Sequence, residues 1–242
     1  MTLAPAAETI LTRIHKHGFW RVVIRPAEAF NQDLIPTLLE CKEILEVSTV
    51  SLRGWDYPHT SDLKIDFGTD WIQGSYDGTV NPLPLPHIEL WRFYQSGQFV
   101  HHFSCREDWG DWSWPSLPEK SGSPVLSIWD CLFTLTEIFL FMQRLERRDV
   151  LPSGAQLSVK LVGMAGRRLI NPSTEHAPSK VWGESTLNEI CYSPNAFSSI
   201  DVLASADRLA IEAAEWVFER FGCRVPRSLL LAEQQRLLQR NL

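Results

Sequence analysis

Apolar residues return at helical spacing in five places along the chain and cluster at strand spacing in most of the intervals between them. Residues 6–16 place Ile10, Leu11 and Ile14 on one side, and Gly18 supplies a stop. Residues 33–46 predict a helix with Asp33 as N-cap, Pro36 in the first turn and Leu38, Cys41, Ile44 and Leu45 along its apolar side. Residues 130–147 form the strongest stripe, with Leu132, Leu135, Phe139 and Met142 repeating and Arg144, Arg147 and Arg148 at the C-terminal end. Residues 201–221 predict a further helix, capped by Ser199 or Asp201 and ended by Gly222. Pro226 opens a last one over 227–239, whose leucines are expected to pack on the helix before it.

The strand signals lie between these stripes. FWRVVIR at 19–25 is β-branched and aromatic, and 47–57, 66–76, 156–164 and 186–192 read the same way. Residues 167–170 are expected to pair with 156–164 across an Ala165-Gly166 turn. IELWRFY and FVHHFSC flank QSGQ at 88–105 and predict a hairpin turning on Ser96-Gly97. A two-residue turn there pairs Tyr94 with Phe99, Arg92 with His101 and Leu90 with Phe103 on one face. The other face receives Phe93 with Val100, Trp91 with His102 and Glu89 with Ser104. Both faces are partly apolar, so the hairpin is expected in the middle of its sheet.

Strands are often consecutive, and helices do not alternate with them. The expected class is therefore α+β: a mixed, mostly antiparallel sheet with a central hairpin, packed by helices, two of them C-terminal. The proline- and glycine-rich stretches at 77–86, 110–124 and 171–178 read as loops rather than linkers, so the expectation is a single domain over residues 1–242.

Composition narrows the classes of function. Of 242 residues, 44% are hydrophobic and the net charge is −6, which argues against a general electrostatic nucleic-acid binder. The N-terminus lacks a signal-peptide pattern. The most apolar stretch, 125–142, carries Asp130 and Glu137, so it reads as a core helix and no membrane span is expected. Five widely spaced cysteines without a CxxC pair suggest free thiols in a cytoplasmic protein. Ten Trp exceed what core filling usually needs, which points to an aromatic surface or groove.

No P-loop, dinucleotide fingerprint, nucleophile elbow, HExxH, kinase or EF-hand pattern is present, and no cofactor is expected. Three constellations remain. Arg53, Trp55, Asp56, Tyr57 and His59, followed by Asp62 and Lys64, gather charge and aromatic rings at a strand end. His101 and His102 point to opposite faces of the hairpin, near Trp91 and Arg92. The run 106–114 carries Asp108 and Asp111 among Trp109, Trp112 and Trp114. Acids and histidines are metal ligands and general bases, whereas exposed Trp rings anchor partners. Each constellation also has a structural reading as turn caps, half-buried histidines or a loop folded over the sheet.

The segments LRGWDYPH (52–59), ELWRFYQSGQFVHHF (89–103) and LTEIF (135–139) resemble an uncharacterised family of bacterial proteins. The resemblance runs from Phe19 to the final helix and implies no activity, cofactor or catalytic residue.

The leading expectation is a noncatalytic interaction module or accessory subunit. It would recognise a protein partner, or a nucleic acid against the sense of the net charge, through an aromatic-rich surface, within a larger complex. One alternative is a metal-dependent hydrolase or nuclease, which requires at least three of Asp56, His59, Asp62, His101, Asp108 and Asp111 to converge. The other is a small-molecule sensing domain, for which a closed pocket near Trp55, Trp91 and Arg92 would speak.

Overall fold

A seven-stranded antiparallel sheet forms the centre of the computed structural model, which describes residues 5–28, 33–61, 63–77, 88–108, 124–171 and 180–239. Its strands are β1 (Phe19–Pro26), β4 (Ile65–Phe67), β5 (Trp71–Tyr76), β6 (Glu89–Tyr94), β7 (Phe99–Ser104), β9 (Ala155–Val162) and β12 (Glu189–Tyr192). They run in the order β12-β9-β1-β7-β6-β5-β4. The β6–β7 hairpin is therefore central, with β1 on one side and β5 on the other, and the class is α+β as the strand and helix patterns indicate.

The hairpin register differs from expectation by one residue. Trp91 faces His101, Phe93 faces Phe99 and Leu90 faces His102. The turn is the reason. Tyr94 N–H donates to Gln98 O and Gly97 N–H donates to Tyr94 O, both at 2.9 Å, which closes a three-residue loop with Gly97 at φ +78°. A slip of one residue exchanges which partners share a face. His101 thus sits with Trp91 on one side of the sheet, and Arg92 lies on the other.

The face bearing Trp20, Trp91, Phe93, Phe99 and Val159 packs on α3 (Ile128–Glu146); the Phe99 and Phe141 rings lie 4.8 Å apart. Helices α4 (Ser199–Glu219) and α5 (Arg227–Gln239) back α3 from outside. Gln234 of α5 donates to Thr136 Oγ1 at 3.1 Å and to Asp207 O at 2.9 Å, so the last helix docks on both neighbours. The opposite sheet face carries α1 (Pro5–Ile14), with Ile14 against Ile88 and Leu90.

Several element boundaries move for identifiable reasons. Helix α2 spans Leu38–Ser48 and is capped by Thr37, whose Oγ1 accepts from Glu40 N–H at 3.1 Å. Asp33 is not the cap: Pro36 disfavours helix in the residue before it, and the Leu34 and Ile35 amides are drawn to Gln95 O in the hairpin turn. Because α2 reaches Ser48, the expected strand over 47–57 shrinks to β2 (Val50–Ser51) and β3 (Asp56–Tyr57), paired as a small hairpin of their own. The strand expected over 66–76 divides into β4 and β5, joined by a turn in which Gly68 N–H donates to Trp71 O. Ser198 caps α4, its hydroxyl accepting from Asp201 N–H at 3.2 Å.

Strand β10 (Arg168–Asn171) does not pair with β9. It lies between β8 (Val125–Ser127), which is parallel to it, and β11 (Lys180–Glu184), a strand the residue pattern did not reveal. The end of β9 is already engaged elsewhere: Gly163 and Met164 N–H both donate to Asn188 O. Four of the five cysteines, Cys41, Cys105, Cys131 and Cys223, are buried free thiols, and Cys191 is half-buried and free. No helix among the described residues is long and apolar enough to cross a membrane.

Candidate functional site

The β2–β3 hairpin leans over the start of α3. Asp130, Thr134 and Glu137 fall on one stripe of α3, spaced to face a single partner. That partner is Arg53, in the loop between β2 and β3. Its Nη1 donates to Asp130 Oδ1 at 2.7 Å, Nη2 to Thr134 Oγ1 at 3.1 Å, and Nε to Glu137 Oε1 at 3.0 Å; a further bond joins Nη2 to Glu137 Oε2. Glu137 is wholly buried. Burial alone would lower the pKa of Arg53, but Glu137 and Asp130 outweigh it and hold the guanidinium charged.

Arg106 follows β7 in a short 3-10 turn (Arg106–Asp108) and donates to the same Asp130 oxygen at 2.9 Å. Both guanidiniums also lie against Trp55, at 4.8 Å for Arg53 and 4.1 Å for Arg106. The ring is thereby fixed at the rim by two cation–π contacts.

Beneath this rim lies a cavity of about 270 Å³. Trp20, Trp55, Tyr57 and Phe103 form its aromatic walls, with Arg53, Asp56, Arg106 and Asp130 around the mouth. Trp20 and Phe103, neighbours across β1 and β7, stack at 5.7 Å and 6°. Glu89 and His101 reach the floor from adjacent strands. His101 Nε2 stands 3.3 Å from Glu89 Oε2, and Glu89 Oε1 accepts from His59 N–H at 3.1 Å. Tyr57 leans on this floor, its ring 5.3 Å from that of His101. Burial, then Glu89 and Glu137, push its phenol pKa well above the usual range, so it stays a neutral hydroxyl.

The cavity collects Arg53, Trp55, Asp56, Tyr57 and His101 from the residues singled out in the sequence. It separates them from others. Trp91 is fully buried; its indole N–H donates to His59 O at 2.7 Å, and its ring lies flat on Gly74, where a Cβ would meet it at 2.2 Å. His59 serves through its backbone, while its ring contacts Tyr76 at 5.2 Å. Arg92 stands on the far face of the sheet, stacked over Trp71 at 4.1 Å and bonded to Gln73, away from His101. His102 shares that far face with His15 and Phe19; burial, then Arg21, lower its pKa to about 3. Trp109, Trp112, Trp114, Asp62 and Asp111 lie outside the described residues.

Asp108 has a structural task. It clamps Arg167 through both oxygens at 2.8 and 2.7 Å and accepts from Gly18 N–H at 2.6 Å. Among the described residues, no three His, Cys, Asp or Glu side chains stand together so as to hold a metal ion. Residue reasoning did not join Glu89, Arg106, Asp130 and Glu137 to the run from Arg53 to His59 as members of one site. The signal lay in α3: two acids and a threonine on one stripe of an otherwise apolar helix need a buried cation.

In comparison with known proteins, the chain matches no family model, no curated protein and no solved structure.

Proposed function

We propose that this chain is a binding or sensing domain for a small, uncharged, planar molecule held in the cavity between β3, β7 and α3. One observation carries the reading: an aromatic-walled cavity whose charged groups already satisfy one another. Arg53 and Arg106 are met by Asp130 and Glu137, Glu89 by His101 and the His59 amide, and Asp56 by the Ser61 hydroxyl. An ion entering this space would have to compete with those pairs, whereas a neutral flat molecule gains contact with Trp20, Phe103 and Tyr57 without breaking any. The volume is slightly below the ~300–1,000 Å³ common for drug-sized ligands, which favours a compact, one- or two-ring molecule.

Recognition of a protein partner through Trp109, Trp112 and Trp114 has no described geometry behind it, so the cavity is the better-supported reading. Ligand-observed NMR tests it, using neutral planar fragments and their carboxylate or amine analogues against wild type and Trp55→Ala. The expected result is binding of neutral fragments that weakens on the order of tenfold in the variant, a loss of about 1.4 kcal/mol. Preferential binding of the charged analogues, or indifference to Trp55, would refute it.

A further inference from the structure

The seven-stranded sheet ends at β4, and no strand of it lies beyond among the described residues. Gly68 N–H donates to Trp71 O, so the pair that closes the β4–β5 turn is a hydrogen-bonded one. Bonded and non-bonded pairs alternate along an antiparallel ladder. By that alternation Asp66 bonds to Gln73, while the N–H and C=O groups of Ile65 and Phe67 point away from β5, to the free edge. No hydrogen bond joins these outward groups to any described residue. Such an edge is a template for another strand.

The side chains specify which strand fits. Leu63 and Ile65 pack on the core, and Phe67 shares their face at 55% exposure. Lys64 and Asp66 occupy the other face, with side chains 91% and 49% exposed and Nζ 3.5 Å from Oδ1. With an identical strand laid antiparallel and Ile65 facing Ile65, each facing pair is complementary. Lys64 meets the partner's Asp66 on both sides of the two-fold axis, and Phe67 meets the partner's Leu63. The facing Ile65 residues exchange both backbone bonds, as their outward N–H and C=O groups require. A slip of one residue sets apolar side chains opposite charged ones. A slip of two sets Asp66 against Asp66 or Lys64 against Lys64, and like charges directly opposite are unfavourable.

We propose that β4 is a self-association edge, through which two copies of this chain pair about a two-fold axis at Ile65 and join their sheets into one. The backbone bonds and the Phe67–Leu63 contacts supply the attraction, and the exposed charges select the register. The contact is independent of what the cavity holds.

Sedimentation velocity over a concentration series tests it on the full chain, as wild type, Lys64→Asp, Asp66→Lys, the double exchange Lys64→Asp with Asp66→Lys, and Ile65→Pro. Ile65 gives no amide to β5, so a proline at this edge position leaves the chain's own sheet bonded. Circular dichroism confirms that each variant is folded. Wild type is expected to dimerise as concentration rises. Each single charge change sets like charges opposite and is expected to weaken the dimer tenfold or more, the double exchange to restore it, and Ile65→Pro to abolish it. A wild type that stays monomeric through millimolar concentration overturns the proposal. So does a dimer that Ile65→Pro leaves intact, or one that the double exchange restores no better than the single changes. Should Ile65→Pro not fold, the charge exchange decides alone.

Discussion

Arg53 grips the buried Glu137 with both arms of its guanidinium, Nε to Oε1 at 3.0 Å and Nη2 to Oε2, and so ties the loop between β2 and β3 to the middle of α3. Because Trp55 and Asp56 follow directly in the chain, this one pair sets the rim of the cavity. Removing one partner of a buried ion pair leaves the other charge stranded. Arg53→Met is expected to cost about 3–5 kcal/mol in urea unfolding, and Arg53→Met combined with Glu137→Met to recover most of it. Two single losses that simply add would show that the residues act independently.

Glu107 sits beside Asp130 and accepts from the Ser127 amide at 2.8 Å, at the start of α3. Burial, then the Asp130 charge, raise its pKa to about 7. A carboxyl raised above its unfolded value of about 4.3 adds stability that is full below that pH and is lost as pH climbs toward 7. His102, lowered to about 3, works in the opposite sense as pH falls below its usual range. The Glu107 contribution is isolated by the difference between wild type and Glu107→Gln. Relative to wild type, the variant should gain stability on going from pH 5 to pH 8 in urea melts. A difference that does not change with pH would contradict the assignment.

The three-residue hairpin turn depends on Gly97. Its φ of +78° is unfavourable for other residues, and a Cβ there would stand 2.6 Å from Val150 O. Gly97→Ala is expected to lower stability by about 1–3 kcal/mol, read as a shift of the urea midpoint with an unchanged slope. A neutral substitution would mean that the turn differs from the one described.

Much of this architecture was legible in the residues, and the misses have physical causes. The stripes of α3 and α4 and the apolar runs of β6 and β7 are long and periodic, so packing cannot easily override them. The hairpin register was not readable, because QSGQ suits a two- or a three-residue loop equally and only the Tyr94–Gln98 bond separates them. That slip placed Arg92 beside His101 when the sheet separates them. The run from Arg53 to His59 marked the rim correctly because charge and aromatic rings at a strand end are unusual. Glu89 stayed hidden, since a lone acid in a strand has no signature until a neighbouring strand brings its partner.

Asp108 offers a direct contrast between a structural and a metal-binding acid. Arg167 is 2% exposed and depends on it, as does the Gly18 amide. Asp108→Ala should destabilise by about 3–5 kcal/mol, while EDTA added to wild type leaves the unfolding midpoint in place. A midpoint that falls on chelation would return Asp108 to the metal-ligand reading.

The cavity itself is tested most directly by crystallography of the wild-type protein soaked with a set of neutral planar fragments. Electron density is predicted among Trp20, Trp55, Tyr57 and Phe103, with the Arg53 pairs to Asp130 and Glu137 intact. Fragments that settle only elsewhere on the molecule, with this space closed over by its own side chains, would contradict the account.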